Sequence, residues 1–182
     1  MPLTTPKIQT QRVLLRAVRQ DDAPDMFAYA RNPNVLRYIS GKTPTALAET
    51  ESFVKSMIDK PPGAFAWAIC LKGNPRVIGA VEFDIADDAT GQIDYALAEE
   101  HWNQGIMTEV VRAVLVWAFK THLGLDSVCS PVMTANEASI RVLEKCGLEW
   151  RKQVHQKWKK FSDPVELSIY AISREKWQRS NH

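Results

Sequence analysis

The chain has 182 residues, 45% of them apolar and 24% charged, with 23 lysines and arginines against 21 acids for a formal charge of +2. These values suit one packed domain and exclude a disordered chain, and so balanced a charge gives no ground for nucleic-acid binding. No apolar run is long enough for a signal peptide or a membrane span, so a cytoplasmic monomer or homodimer with no nucleic-acid or membrane partner is expected.

Residues 13–18 (VLLRAV) are apolar and β-branched at their ends, which predicts a strand. A helix opens at Asp21, with acids in its first turn and Met26, Phe27 and Ala30 at helical spacing. It stops before Asn32-Pro33, because proline disfavours helix in the residue ahead of it. A second helix runs from about Thr45 through Leu47, Phe53, Val54 and Met57 to the break at Pro61-Pro62-Gly63. Strands are predicted over 65–71 and 77–85, separated by the turn Lys72-Gly73-Asn74-Pro75. The stretch 87–91 (DDATG) makes the next turn, into a strand at 93–98.

The period then changes. Val110, Val111, Val114, Trp117 and Ala118 form the stripe of an amphipathic helix over 106–122, with Gly124 as its C-cap. A strand at 128–133, a helix at 136–146 ending at Gly147, and two alternating strands over 148–160 and 165–173 follow. The basic run from Arg151 to Lys160 reads as the solvated face of a strand. The fold class predicted is α/β (α+β): a mixed sheet of about seven strands flanked by helices, in a single domain over 1–182.

Cys70, Cys129 and Cys146 are odd in number and widely separated, so reduced core thiols are expected rather than disulfides. His101, His122, His155 and His182 show none of the usual metal-ligand spacings, and all four read as surface or packing residues with no metal site.

The segment 102–109 (WNQGIMTE) lies between a strand and a long helix. A helix N-terminus presents unpaired N–H groups and a partial positive charge, and Gly105 permits tight curvature and close ligand approach. Together these make a seat for a pyrophosphate or another anion. Taken alone, the junction reads equally as a turn before a capped helix. Neither GxxxxGK[ST] nor GxGxxG is present, which argues against an NTP-binding loop or a dinucleotide fold. In 134–148 (TANEASIRVLEKCGL), Thr134 and Glu137 have capping-box spacing and Asn136 is itself a good N-cap.

Together, the pattern W-x-Q-G-I-x-T-E followed by N-x-x-S-I-R-V-L-E-K-x-G resembles the GNAT acetyltransferases, and more narrowly their RimJ/RimL-like branch. The opening T-Q-R-V-L-L-R-A-V-R-Q-D-D-A and the later N-P-N-V-L-R-Y-I are similar to that branch as well, so the resemblance runs from about Gln9 to Trp177. It implies the GNAT fold, with a mostly antiparallel central sheet. It also implies an N-acetyltransferase that moves an acetyl group from acetyl-CoA to a primary amine in a ternary complex, the amine being a protein N-terminus or a small molecule.

By the resemblance, Ala96, Leu97 and Ala98 pair with the pantetheine arm, and Gln104, Gly105, Ile106, Met107 and Thr108 surround the pyrophosphate. Asn136 bonds to the cofactor arm. Met107, at a position where small residues are usual, is expected to narrow the phosphate seat. The loop contains no lysine or arginine, which leaves Arg112 or Arg141 at the rim. Leu143 occupies the position of the tyrosine acid found in many relatives, and Ser139 matches the serine that replaces it in this branch. Gln92 stands where many relatives carry a carboxylate, so Glu82 is the candidate base with Asp94 behind it. Tyr95 and Trp67 read as core residues or as lining of the acceptor cleft. With both familiar acid–base positions vacant, a GNAT-fold module that senses acyl-CoA without turnover is the alternative.

Overall fold

The computed structural model describes residues 5–87, 89–122 and 124–180. Met1 to Thr4, Asp88 in the predicted 87–91 turn, and His182 therefore lie outside the described residues. In chain order the elements begin with β1 (Ile8–Gln9), β2 (Val13–Ala17), α1 (Ala23–Ala30), α2 (Leu47–Ile58), β3 (Ala64–Leu71), β4 (Val77–Asp87) and β5 (Thr90–Leu97). They continue with α3 (Ile106–Thr121), β6 (Ser127–Met133), α4 (Glu137–Lys145), β7 (Glu149–Gln156), β8 (Val165–Ser173) and α5 (Arg174–Ser180). One sheet holds all eight strands in the order β1-β2-β3-β4-β5-β6-β8-β7, antiparallel everywhere except between β5 and β6.

The predicted order of elements is the observed one, with two additions. The eighth strand, β1, is two residues long and too short to show a period, and α5 continues directly from β8. The basic run 151–160 lies largely on β7, an exposed strand at the sheet edge, which suits a solvated face.

Strand β3 shows how the sequence sorts the two faces. Phe65, Trp67 and Ile69 point to one side and Ala66, Ala68 and Cys70 to the other, all buried. The large residues meet α3, while the small ones let Met26 of α1 and Val54 and Met57 of α2 pack close on the opposite face. At the centre of the larger core, Trp117 sits edge-on to Phe65 at 4.7 Å, Trp67 at 5.0 Å and Phe83 at 5.5 Å. Such aromatic contacts add about 0.5–1.5 kcal/mol each beyond area burial. Trp67 is fully buried and donates its indole N–H to the Pro6 carbonyl at 2.6 Å, so it is a core residue and not part of a cleft.

The end of α3 departs from expectation. His122, rather than Gly124, is the C-cap. Arg174 reaches across to donate to the carbonyls of Phe119 (2.7 Å), His122 (2.6 Å) and Leu125 (2.6 Å), which satisfies helix-end groups with a cation. The three cysteines are free thiols, two of them buried, as expected of core residues. No helix among the described residues is long and apolar enough to cross a membrane.

Gly79 of β4 faces β5, where an added Cβ would lie 2.4 Å from the Ala96 carbonyl oxygen and 3.1 Å from Leu97 Cα. Gly79→Ala is therefore expected to lower stability by about 1–3 kcal/mol, measured by denaturant unfolding, because backbone rather than a flexible side chain must move.

Candidate active site

Strands β5 and β6 run parallel but pair only through Thr90–Ser127, Gly91–Val128 and Gln92–Cys129. Beyond that point they diverge, and the rest of β5 and of β6 form opposite walls of a gap. A cavity of about 870 Å³ opens there, lined by Asp94, Tyr95 and Ala96 on one side and by Ser130, Pro131 and Val132 on the other.

Strand alternation decides which backbone groups face this gap. Ala98 donates to the Ile78 carbonyl at 2.8 Å, so its N–H points towards β4, and by alternation so do the polar groups of Ala96. Of the three strand residues expected to meet the cofactor arm, only Leu97 turns its backbone to the gap. The Leu97 carbonyl there accepts the Trp102 indole N–H at 2.8 Å.

The loop 102–105 ends with Gly105 at φ +74, a left-handed conformation that glycine adopts without strain. The first intrahelical bond of α3 runs from the Glu109 N–H to the Gly105 carbonyl at 3.1 Å. The amides of Ile106, Met107 and Thr108 precede it, so they have no partner inside the helix and form a positive end. The Met107 side chain is 7% exposed and packs into the core. It does not narrow this seat, because helix geometry turns it inward while its amide points out. Arg12 supplies what the loop lacks: it donates to the Gln104 carbonyl at 2.8 Å and pairs with Glu109 at 2.7 Å. The Gln104 side-chain amide is occupied by the Glu100 carbonyl at 2.8 Å. Arg112 lines the adjoining surface hollow with Arg12 and Lys145, whereas Arg141 is tied in an exposed pair with Glu137.

Asn136 caps α4, its side-chain oxygen accepting the Ser139 N–H at 3.2 Å. That bond fixes Ser139 in the first turn, where its Oγ lies 2.7 Å from the Tyr95 Oη on β5. Ser139 and Asn136 both line the cavity, and Leu143, one turn further along, is fully buried in the core. Burial pushes the Tyr95 phenol well above its ordinary value, so it remains a neutral donor.

The opposite face of β4 and β5 is acidic. Glu82 stands across from Asp94, and Asp84 across from Gln92. Like charges placed directly opposite are destabilising. Lys60 relieves the arrangement by pairing with Glu82 and with Asp84, each at 2.8 Å. Gln92 donates to Asp94 at 2.7 Å. Burial raises the Asp94 carboxyl above the ordinary carboxylate range, with the Gln92 hydrogen bond working against it and Glu82 adding to it.

The model of the acetyltransferase (GNAT) domain matches residues 12–149. The chain belongs to the GNAT acetyltransferases. The uncharacterized N-acetyltransferase YoaA of Bacillus subtilis is 27% identical over 171 residues, covering 92% of this chain and 96% of that protein. Among solved structures, a GNAT-family acetyltransferase from Bacillus anthracis superposes with a TM-score of 0.82 at 23% identity, covering 93% of this chain and 99% of that one. The RimL ribosomal L7/L12 α-N-protein acetyltransferase, solved in complex with coenzyme A, superposes at 0.79 with 18% identity, over 92% and 98% of the two chains. The last two likenesses concern the fold.

Within this GNAT acetyltransferase, then, Ser139 and Asn136 meet at the gap, and Glu82 lies on the acidic floor beside Asp94. The partner of Ser139 was not legible as such, since Tyr95 is 44 residues away in a strand that reads as core. Gly105→Ala would force alanine into a left-handed conformation with open space around it, the nearest atom being Arg12 Nη2 at 3.6 Å. The expected loss is about 1–2 kcal/mol of folding stability, read by thermal unfolding, with strain rather than crowding as its cause.

Proposed function

We propose that this GNAT protein, as a member of the RimJ/RimL-like branch, transfers the acetyl group of acetyl-CoA directly to a primary amine within a ternary complex. The observation that carries the reading is the Tyr95–Ser139 pair at 2.7 Å on the wall of the gap between β5 and β6. The coenzyme A bound to the RimL relative supports the choice of cofactor.

In this reading the pantetheine arm enters the gap, pairing with the Leu97 N–H and with the Asn136 amide that remains after capping. The amides of Ile106 to Thr108, following Gln104 and Gly105, hold the pyrophosphate with help from the helix dipole, and Arg12 and Arg112 add positive charge. Bound acetyl-CoA supplies the thioester. The amine approaches from the acidic floor, where Asp94, with Glu82 beside it, takes the ammonium proton. Transfer then breaks the C–S bond and leaves a thiolate on the α4 side. Because burial keeps Tyr95 protonated, its phenol donates to Ser139 Oγ and frees the serine O–H to bond to the departing sulfur.

Ser139→Ala is expected to lower kcat about 100-fold and Tyr95→Phe about tenfold, with acetyl-CoA affinity by calorimetry unchanged. Acetyl-CoA binding with no product from any amine would instead favour an acyl-CoA sensor.

Asp94 gives a pH signature. Its anion is the base, so kcat/KM should climb as pH rises through the elevated carboxyl pKa and fall as acid protonates it, and Asp94→Asn should abolish that limb. For stability the sign runs the other way. A carboxyl that holds its proton more tightly when folded stabilises the protein at low pH, and that contribution is lost as pH rises through the elevated value. Asp94→Asn is therefore expected to raise the neutral-pH melting temperature while lowering activity, two opposite changes that one sample can report.

A further inference from the structure

The cavity that opens at the gap continues under α1 and α2, away from the thioester position. There it is lined by Tyr29, Tyr38, Phe53 and Trp158, and by the hydroxyl-bearing Thr50. Thr50 is 4% exposed, and its Oγ1 is buried with no hydrogen-bond partner among the described residues. The same helix shows the ordinary alternative, since Ser52 donates to the Ala48 carbonyl one turn back at 3.0 Å. Thr50 makes no such bond and lines the cavity instead. Buried hydroxyls are nearly always paired, so one left open at a cavity wall points to a group supplied from outside.

The charge of the lining says what that group is. Glu49, Glu82, Asp84 and Asp94 line the cavity against a single lysine, Lys42. Lys60 pairs with both Glu82 and Asp84, which still leaves the floor negative. One reacting amine has a use for one base. The further carboxylates and the aromatic walls match a second positive charge on the same molecule. The far end is also tied shut. The 34–45 segment and the β7–β8 loop both contribute walls, and Lys160 joins them by donating to the carbonyls of Leu36, Arg37 and Ile39.

We propose that the acceptor is a compact aliphatic amine with a second cationic centre, a diamine, whose distal ammonium donates to Thr50 Oγ1. The inference rests on the acetyl-transfer reading above. A protein N-terminus carries its one reacting charge at the thioester and brings a neutral backbone to the acidic floor, so it leaves the open hydroxyl and the further carboxylates unused.

The test compares acceptors of one length with acetyl-CoA: 1,4-diaminobutane, n-butylamine, 4-aminobutanoate, and a short peptide with neutral side chains. Acetylated product is followed by mass spectrometry. The diamine is expected to exceed n-butylamine in kcat/KM by about tenfold or more, with 4-aminobutanoate the poorest. Thr50→Val should raise KM for the diamine about fivefold with kcat within about twofold, and leave n-butylamine unaffected. Thr50→Ser should restore the diamine KM. Should the valine variant fail to fold, the acceptor ranking and Thr50→Ser still decide the matter. Equal or better use of n-butylamine or the peptide would overturn the proposal while leaving acetyl transfer standing. An unchanged diamine KM in Thr50→Val would overturn it as well. Acetyl-CoA binding without product from any acceptor would overturn the catalytic reading and this one with it.

Discussion

The parallel contact between β5 and β6 lasts for three residue pairs and then stops, and the functional geometry of the molecule depends on that interruption. An unpaired strand edge inside a sheet leaves backbone donors and acceptors without a ladder, which is unfavourable unless something else meets them. Here Trp102 takes the Leu97 carbonyl, and Asn136 fixes the start of α4 beside the opening. The remaining edge is presented to the cavity. A gap in the sheet is thus also a slot whose polar groups already point inward.

Alternation along β4 and β5 then divides the chemistry between two faces. Ile93, Tyr95 and Leu97 lie with the core beneath α3 and α4, while Gln92, Asp94, Glu82 and Asp84 lie on the α1–α2 side and line the cavity. A single two-residue period therefore separates a neutral phenol from a set of carboxylates by the thickness of the sheet. Burial raises the proton affinity of both Tyr95 and Asp94. It keeps the first a donor and makes the second a better proton acceptor. One physical cause has two chemical outcomes because the groups differ in charge type.

Much of the fold was legible because it rests on local period. The stripe Val110, Val114, Ala118 marks α3, and the large–small alternation of β3 marks a strand buried on both faces. β1 was not legible, since its two residues become a strand only by pairing with Leu14 and Leu15. At the site, the motif residues Gly105, Asn136 and Ser139 could be named because their local roles leave a spacing pattern. The reach of Tyr95 to Ser139, the sharing of Lys60 by Glu82 and Asp84, and the inward turn of Met107 are tertiary facts. The strand trio at 96–98 failed in detail for a simpler reason. A motif names residues, whereas the backbone direction of each depends on register, and register sends Ala96 and Ala98 to β4.

The unfavourable local features are concentrated rather than scattered. The open β5 edge, the opposed carboxylates of Glu82 and Asp94, and the unpartnered hydroxyl of Thr50 all border one cavity. Elsewhere the molecule is paired and packed. Trp117 is wedged among three aromatic rings, and Arg174 closes the end of α3 with three hydrogen bonds. Such a division follows if the rigid core beneath α3 stabilises a region that ligands complete. The same groups that weaken the empty fold are then the ones that gain most from an anionic cofactor on one side of the sheet and a cationic acceptor on the other.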